Sequence, residues 1–279
     1  MIRIVVDSSA DYQMEEIKKQ QMERIGIHIQ IGDGDYVEGI NITRDEFYEK
    51  IENGEGFPMT SQPSPQDYLD VFEDAKEKGE DVICLTVSAA LSGTYNCANL
   101  AKDMADYDRI YVIDSTKASH GTRLLADYAC SLRNQGFSAI EIVEKVEELK
   151  PRVKIMAALD TLEYLIHGGR LSKVSGAIGE LVSLKPVIEI NGEGQIGVIG
   201  KCLGGNKAAS LMVKQVSNYT IDSSFPVYTL YSYGTENCEK LESRLNKEGI
   251  GYSDRLQVGA AIGTHTGPGA YGLAFVVEA

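Results

Sequence analysis

Short apolar runs that alternate with capped helical segments constrain this chain more than any other feature. The runs IRIVV (Ile2 to Val6), DVICLTV (Asp81 to Val87) and RIYVI (Arg109 to Ile113) read as buried strands. Helices with clear start signals lie between and after them. TRDE (Thr43 to Glu46) has capping-box spacing, and SAIE (Ser138 to Glu141) and DTLE (Asp160 to Glu163) repeat it. SPQD (Ser64 to Asp67) puts Pro65 at the first helical position, where its missing N–H is not needed. This alternation predicts an α/β fold with a parallel sheet covered on both faces.

The pattern changes from about Lys154. KIMAALD is strand-like, and TLEYLIHGGR is a helix stopped by Gly168 and Gly169. KPVIEINGEGQIGVIGK alternates around NGEG, a hairpin signal. VYTLYSYG (Val227 to Gly234) is a strand, TENCEKLESRLNKEG a charged helix, and LAFVVEA a last strand. A chain of 279 residues can form two domains, and Pro151 disfavours helix at Lys150. The expected division is therefore 1–150 and 151–279, each an α/β domain.

Charge and composition exclude several function classes. A net charge of -14 repels a nucleic-acid backbone and disfavours an anionic membrane surface. An anionic ligand would need local neutralisation by hydroxyls, N–H groups or a single cation. The five cysteines are widely spaced with no C-x-x-C, and the four histidines form no metal-binding pair. No apolar run has transmembrane length, and the start MIRIVVDSSAD lacks a signal-peptide plan. The expected location is the cytoplasm.

Small hydroxyl-bearing segments follow the strands. Asp7-Ser8-Ser9 follows the first, Ser88 and Leu91-Ser92-Gly93-Thr94 the second, and Asp114-Ser115-Thr116 the third. In open parallel sheets, ligands bind at the carboxyl ends of the strands. The same residue types also serve as helix caps. Ser92-Gly93 opens a helical segment, so its hydroxyl and the first free N–H groups face outward together as an anion site. His265, between Thr264 and Thr266 in the glycine-rich GTHTGPGA, reads as a loop residue where the backbone can approach a ligand. His28, His120 and His167 read as structural. Two G-x-G-x-x-G matches (Gly192, Gly194, Gly197 and Gly267, Gly269, Gly272) lack strand-turn-helix context. Ser92, Asp114 and His265 follow the chain order of α/β-hydrolases, so a Ser92-His265 lipid or acyl-ester hydrolase is the alternative reading. The G-x-S-x-G elbow is missing. Asp7 lacks the second acid expected of an aspartyl nucleophile.

Several segments together resemble the DegV family, bacterial fatty-acid-binding proteins that include the FakB subunit of fatty acid kinase. They are DSSAD (Asp7 to Asp11), TSQPSP (Thr60 to Pro65), LSGTYN (Leu91 to Asn96), DSTKASHG (Asp114 to Gly121), LEYLIHGGRLSK (Leu162 to Lys173), LKPVIEI and GTHTGPGA. The resemblance implies two α/β domains with a long-chain fatty acid enclosed between them. It implies a carboxylate held by Thr60, Ser61, Ser92, Gly93, Thr94 and His265. Arg170 is the candidate for the same network or for contact with a kinase. The family's FakB type has no cofactor beyond its fatty acid and is not itself an enzyme. It presents the acid to a separate kinase that makes the acyl phosphate. The expected partners are thus a fatty acid and a fatty acid kinase subunit, with no nucleic acid; transient membrane contact stays open. One departure is GKCLGGNKAAS, where Cys202 and Leu203 stand in a run that is more basic in the family, while Lys201 and Lys207 remain.

Overall fold

The computed structural model describes residues 1–171 and 184–279. The first half runs β1 (Ile2–Asp7), α1 (Met14–Gln20), β2 (Met22–Ile25), β3 (His28–Ile31), β4 (Gly34–Val37), α2 (Arg44–Glu52) and β5 (Met59–Ser61). It continues with α3 (Pro65–Glu77), β6 (Asp81–Thr86), α4 (Thr94–Ala105), β7 (Ile110–Asp114), α5 (His120–Asn134) and α6 (Ala139–Leu149). The strands β2-β1-β6-β7 form one sheet, and every pairing in it is parallel. Ile4, Val5 and Val6 of the central strand β1 are fully buried. Ile4 and Val6 face the α5 and α6 side, whereas Val5 faces α3 and α4. A strand covered on both faces needs an unbroken apolar run, which is what IRIVV supplies.

Helix starts follow local chemistry. Thr43, Ser64 and Ser138 each close a capping box with the acid three residues on, and Pro65 opens α3. The expected box at Asp160–Glu163 does not form. Asp160 is drawn to Lys185 at 2.6 Å, and the Glu163 N–H donates to Thr161 Oγ1 at 3.1 Å instead. An ion pair between distant segments thus displaces the local cap.

The second half runs β8 (Val153–Ala158), α7 (Glu163–His167), β9 (Lys185–Ile190), β10 (Ile196–Cys202), α8 (Gly205–Val216) and β11 (Tyr228–Tyr231). It ends with α9 (Glu236–Lys247), β12 (Asp254–Gln257), α10 (Ala260–Thr266) and β13 (Tyr271–Val276). Its sheet has the order β10-β9-β8-β13-β11-β12, with one parallel pair, β11 with β12, among antiparallel ones. The NGEG turn closes the β9–β10 hairpin, with Gly194 at φ 74. A separate antiparallel sheet, β4-β3-β5, carries Thr60 and was not anticipated from the pattern.

Helix α5 joins the two main sheets. It packs on β1 and β6 and also on β8 and β13. Leu124, Leu125, Ala126 and Ala129 share one core with Ile4, Ile155 and Ala274. A polar clamp reinforces the joint: Asp127 accepts from Tyr12 at 2.7 Å and from Tyr228 at 2.9 Å. The carboxyl ends of the parallel strands are thereby held opposite β8, β9 and β11.

Candidate functional site

A cavity of about 960 Å³, mouth included, lies between these two surfaces. Its walls are mostly aliphatic, with Ile155, Ile188, Ile190, Leu230, Val258 and Ile262 among them. Thr60, Gln62, Ser92, Arg170 and His265 also line it.

His265 is a helix residue, not the loop residue expected. The segment from Ala260 winds into α10, and Gly267 at φ 71 ends it. Ala261, Ile262, His265 and Thr266 form the face of this helix that lines the cavity, and Val258 just before it lines the cavity too. His265 Nε2 lies 2.8 Å from Thr60 Oγ1. Its Nδ1 is buried without a partner among the described residues and abuts Gly168, where an added Cβ would sit 2.2 Å away. Burial, and then the Arg170 charge, push this imidazole down to about 3, so it is neutral at ordinary pH.

Ser92 precedes α4. Its Oγ lies 2.8 Å from Thr94 Oγ1 and accepts from the Thr94 N–H at 3.3 Å. Thr94 is fully buried behind Ser92 and does not line the cavity. Gly93 is the residue at the helix entry, and an added Cβ there would meet Gln62 Oε1 at 1.9 Å. The Gln62 carboxamide therefore lies across the start of α4. Strand alternation turns Thr60 into the cavity and its neighbour Ser61 out to solvent, so Ser61 stands apart from the others.

Arg170 is half-buried in the cavity wall. Its Nε donates to the Leu91 carbonyl at 3.1 Å, and its Nη1 to the Gly168 carbonyl. It thus ties the segment before Ser92 to the segment beside His265. Burial lowers its pKa. Ser172 and Lys173 of the LEYLIHGGRLSK segment lie outside the described residues. Cys202 ends β10, and Leu203 is 63% exposed.

The hydrolase constellation is not assembled among the described residues. Asp114 accepts from the Ala89 and Thr116 N–H groups at 3.1 and 2.8 Å, which serves its own turn. His265 pairs with Thr60, Ser92 with Thr94, and no acid orients His265 Nδ1. Asp7 is likewise structural, accepting from the Ser9 and Val87 N–H groups at 2.9 and 2.7 Å.

A buried polar cluster sets the start of α10 and was not anticipated. Glu38 accepts from the Ala260 N–H and from Arg44 Nε, the latter at 2.7 Å. Arg44 also donates to the Asp11 carbonyl at 2.7 Å and the Gln257 carbonyl at 2.6 Å. Asp11 is pushed up to about 7 by burial, against the pull of the Arg44 charge. Asp11 belongs to the DSSAD segment, which was a usable signal; Glu38 sits in no motif. Among the described residues, no His/Cys/Asp/Glu group could hold a metal, and no helix is long and apolar enough to cross a membrane.

Comparison with known proteins agrees with this architecture. A DegV domain-containing protein of Caldanaerobacter subterraneus subsp. tengcongensis is 35% identical over 276 residues, with 98% of each chain covered. The structure of a DegV family protein from Thermus thermophilus, described for its fatty acid binding, is similar with a TM-score of 0.89. It is 29% identical, and 99% of each chain is covered. A stearic acid-binding protein from Eubacterium ventriosum ATCC 27560 has a TM-score of 0.87 and 28% identity, covering 99% of this chain and 98% of its own. The family model "Uncharacterised protein, DegV family" matches residues 1–278. With a match from end to end and relatives that overlap over their whole lengths, the chain belongs to the DegV family.

Proposed function

We propose that this protein encloses a long-chain fatty acid and holds its carboxylate at Thr60, Ser92, the start of α4 and His265. The observation that carries the reading is the aliphatic cavity in which the hydroxyls of Thr60 and Ser92, the Gln62 carboxamide, the neutral His265 imidazole and the Arg170 guanidinium share the polar lining with one acid, Glu189. A carboxylate accepts about four hydrogen bonds and is costly to bury with fewer. Thr60, Ser92, the Gln62 carboxamide and Arg170 are enough donors. The aliphatic walls suit an acyl chain, since each buried CH₂ contributes about 0.8 kcal/mol. The fatty acid binding of the similar proteins from Thermus thermophilus and Eubacterium ventriosum supports the same reading.

The finer role belongs to this proposal. The protein is a cytoplasmic, non-catalytic carrier that presents the carboxylate to a separate kinase for acyl-phosphate formation. The resemblance to the FakB type supports this step, and Arg170, which donates to the Leu91 carbonyl next to Ser92, is the candidate residue for it. Residues 1–150 and 151–279 act as the two α/β domains. The change from the parallel sheet to the six-stranded one at Val153 supports that division.

Denaturing extraction of the purified protein, followed by mass spectrometry, should release stoichiometric long-chain fatty acid. Ser92→Ala should weaken acid binding about ten- to a hundredfold, the worth of one charge-assisted hydrogen bond. The methyl ester should bind poorly to the parent and lose nothing further in the variant. Absence of lipid, with no melting shift on adding fatty acids, defeats the proposal. So does Ser92-dependent ester cleavage at an enzyme-like rate.

A further inference from the structure

The cavity has a second polar region. Ser9 and Ser119 line it beside Val87 and Ala118, on the floor formed by the carboxyl ends of the parallel strands. Both are buried, at 1% and 5% exposure. Each hydroxyl proton has a carboxylate to go to. Ser9 donates to Asp7 Oδ1, and Ser119 donates to Asp11 Oδ2 at 2.5 Å, with His120 Nδ1 2.9 Å from the same Ser119 oxygen. With His120 Nδ1 facing one lone pair of Ser119, each serine still has an oxygen lone pair for a ligand, which saturated methylenes would cover without pairing. Ser119 is also held at φ 53, ψ -139, a strained backbone for a residue with a Cβ. Beneath it, Asp11 Oδ1 and His120 Nε2 are buried without partners.

The depth of this region follows from α10. At its start, Asp11 Oδ1 lies 2.7 Å from where a Cβ on Gly259 would be, and Asp11 holds Ser119. At its other end, His265 meets Thr60. Six residue steps separate Gly259 from His265, so the two polar regions are about 9 Å apart along the helix. With C–C bonds of about 1.5 Å in an extended zigzag, that span covers roughly seven carbons.

We propose that Ser9 and Ser119 form a mid-chain subsite that accepts a hydrogen bond from a hydroxyl carried near the middle of a long-chain fatty acid. The natural ligand class is then a mid-chain hydroxy fatty acid, the product of adding water across an internal double bond or of hydroxylating the chain. A double bond suits the site less well, because its π face would meet the same lone pairs. The proposal rests on the fatty-acid reading above and names which acid that site prefers.

Calorimetric titration with octadecanoic acid, and with isomers hydroxylated beside the carboxylate, at mid-chain or near the methyl end, tests it. The cis mono-unsaturated acid is a fifth ligand. The mid-chain hydroxy acid should bind the parent at least about tenfold more tightly than the other hydroxy isomers, since an unpaired buried hydroxyl is worth that much. Ser119→Ala should remove this preference and leave octadecanoic acid bound equally well or better. Ser119→Gly removes the same hydroxyl while relieving the backbone, so it supplies the result should the alanine variant fold poorly. Equal affinities for all hydroxy isomers, or a mid-chain preference that survives both substitutions, overturns the subsite. A Ser119-dependent preference for the unsaturated acid over the hydroxy acid overturns it as well. If octadecanoic acid itself fails to bind the parent, the fatty-acid reading falls instead.

Discussion

Adjacent glycines at the end of α7 allow the site geometry to be tested apart from stability. Gly168 has helical φ and ψ of -71 and -10, which alanine adopts freely. Its added Cβ would nevertheless lie 2.2 Å from His265 Nδ1 and 2.7 Å from Cε1. The ring must retreat by about 1 Å to reach ordinary contact. The 2.8 Å approach of His265 to Thr60 then stretches past hydrogen-bonding range. That bond is worth about 0.5–1.5 kcal/mol to folding, and alanine returns about 0.4–1 kcal/mol by restricting the unfolded chain. Gly168→Ala should therefore change stability little. Binding should suffer more, because Thr60 and His265 are shifted from the carboxylate, weakening it about ten- to a hundredfold. Gly169 is the matched control. It has φ 71, and an added Cβ would meet nothing within 4 Å. Gly169→Ala should cost about 1–2 kcal/mol of stability through backbone strain and leave binding unchanged. Urea midpoints and fatty acid titrations on both variants give the two rankings. Fatty acid affinity retained in Gly168→Ala, or lost equally in Gly169→Ala, refutes the role given to the His265 position.

Asp11 should leave a signature in the pH dependence of stability. Its buried carboxyl is pushed up to about 7, so between about pH 4 and 7 the native state holds a proton that the unfolded state has released. This group therefore makes stability fall as pH rises through that window, and Asp11→Asn should flatten that part of the profile. Urea midpoints across the window that keep the parent slope would reject it. Gly272→Ala should destabilise the protein by about 1–3 kcal/mol, because its Cβ would lie 2.1 Å from the Met156 carbonyl oxygen, and paired backbone cannot step aside. A melting temperature equal to the parent's would contradict that close approach of β13 to β8. Arg170→Ala should weaken fatty acid binding about tenfold, with partial recovery in Arg170→Lys. Should binding persist while acyl-phosphate formation by a fatty acid kinase is lost, Arg170 serves the kinase rather than the pocket.

The elements that depend on neighbours in the chain were legible from sequence. IRIVV and DVICLTV became buried parallel strands, because a strand covered on both faces must be apolar throughout, and RIYVI became the half-buried strand at the edge of the same sheet. Thr43, Ser64 and Ser138 cap helices through atoms three residues away, a distance the chain itself fixes. The start of α4 at Ser92 and Gly93 was readable for the same reason. What tertiary structure decided lies wherever a distant partner outcompetes a local one. Asp160 left its cap for Lys185, and the GTHTG segment wound into α10, whose Ala260 N–H is met by Glu38 from the other half of the chain. Thr60 and His265 are separated by 205 residues, and no spacing in the sequence encodes their 2.8 Å contact. The packing of α5 against both sheets, together with the Arg44 and Glu38 contacts at the start of α10, brings the strand ends opposite β8 and β9, and that juxtaposition makes scattered small hydroxyls into the lining of one cavity.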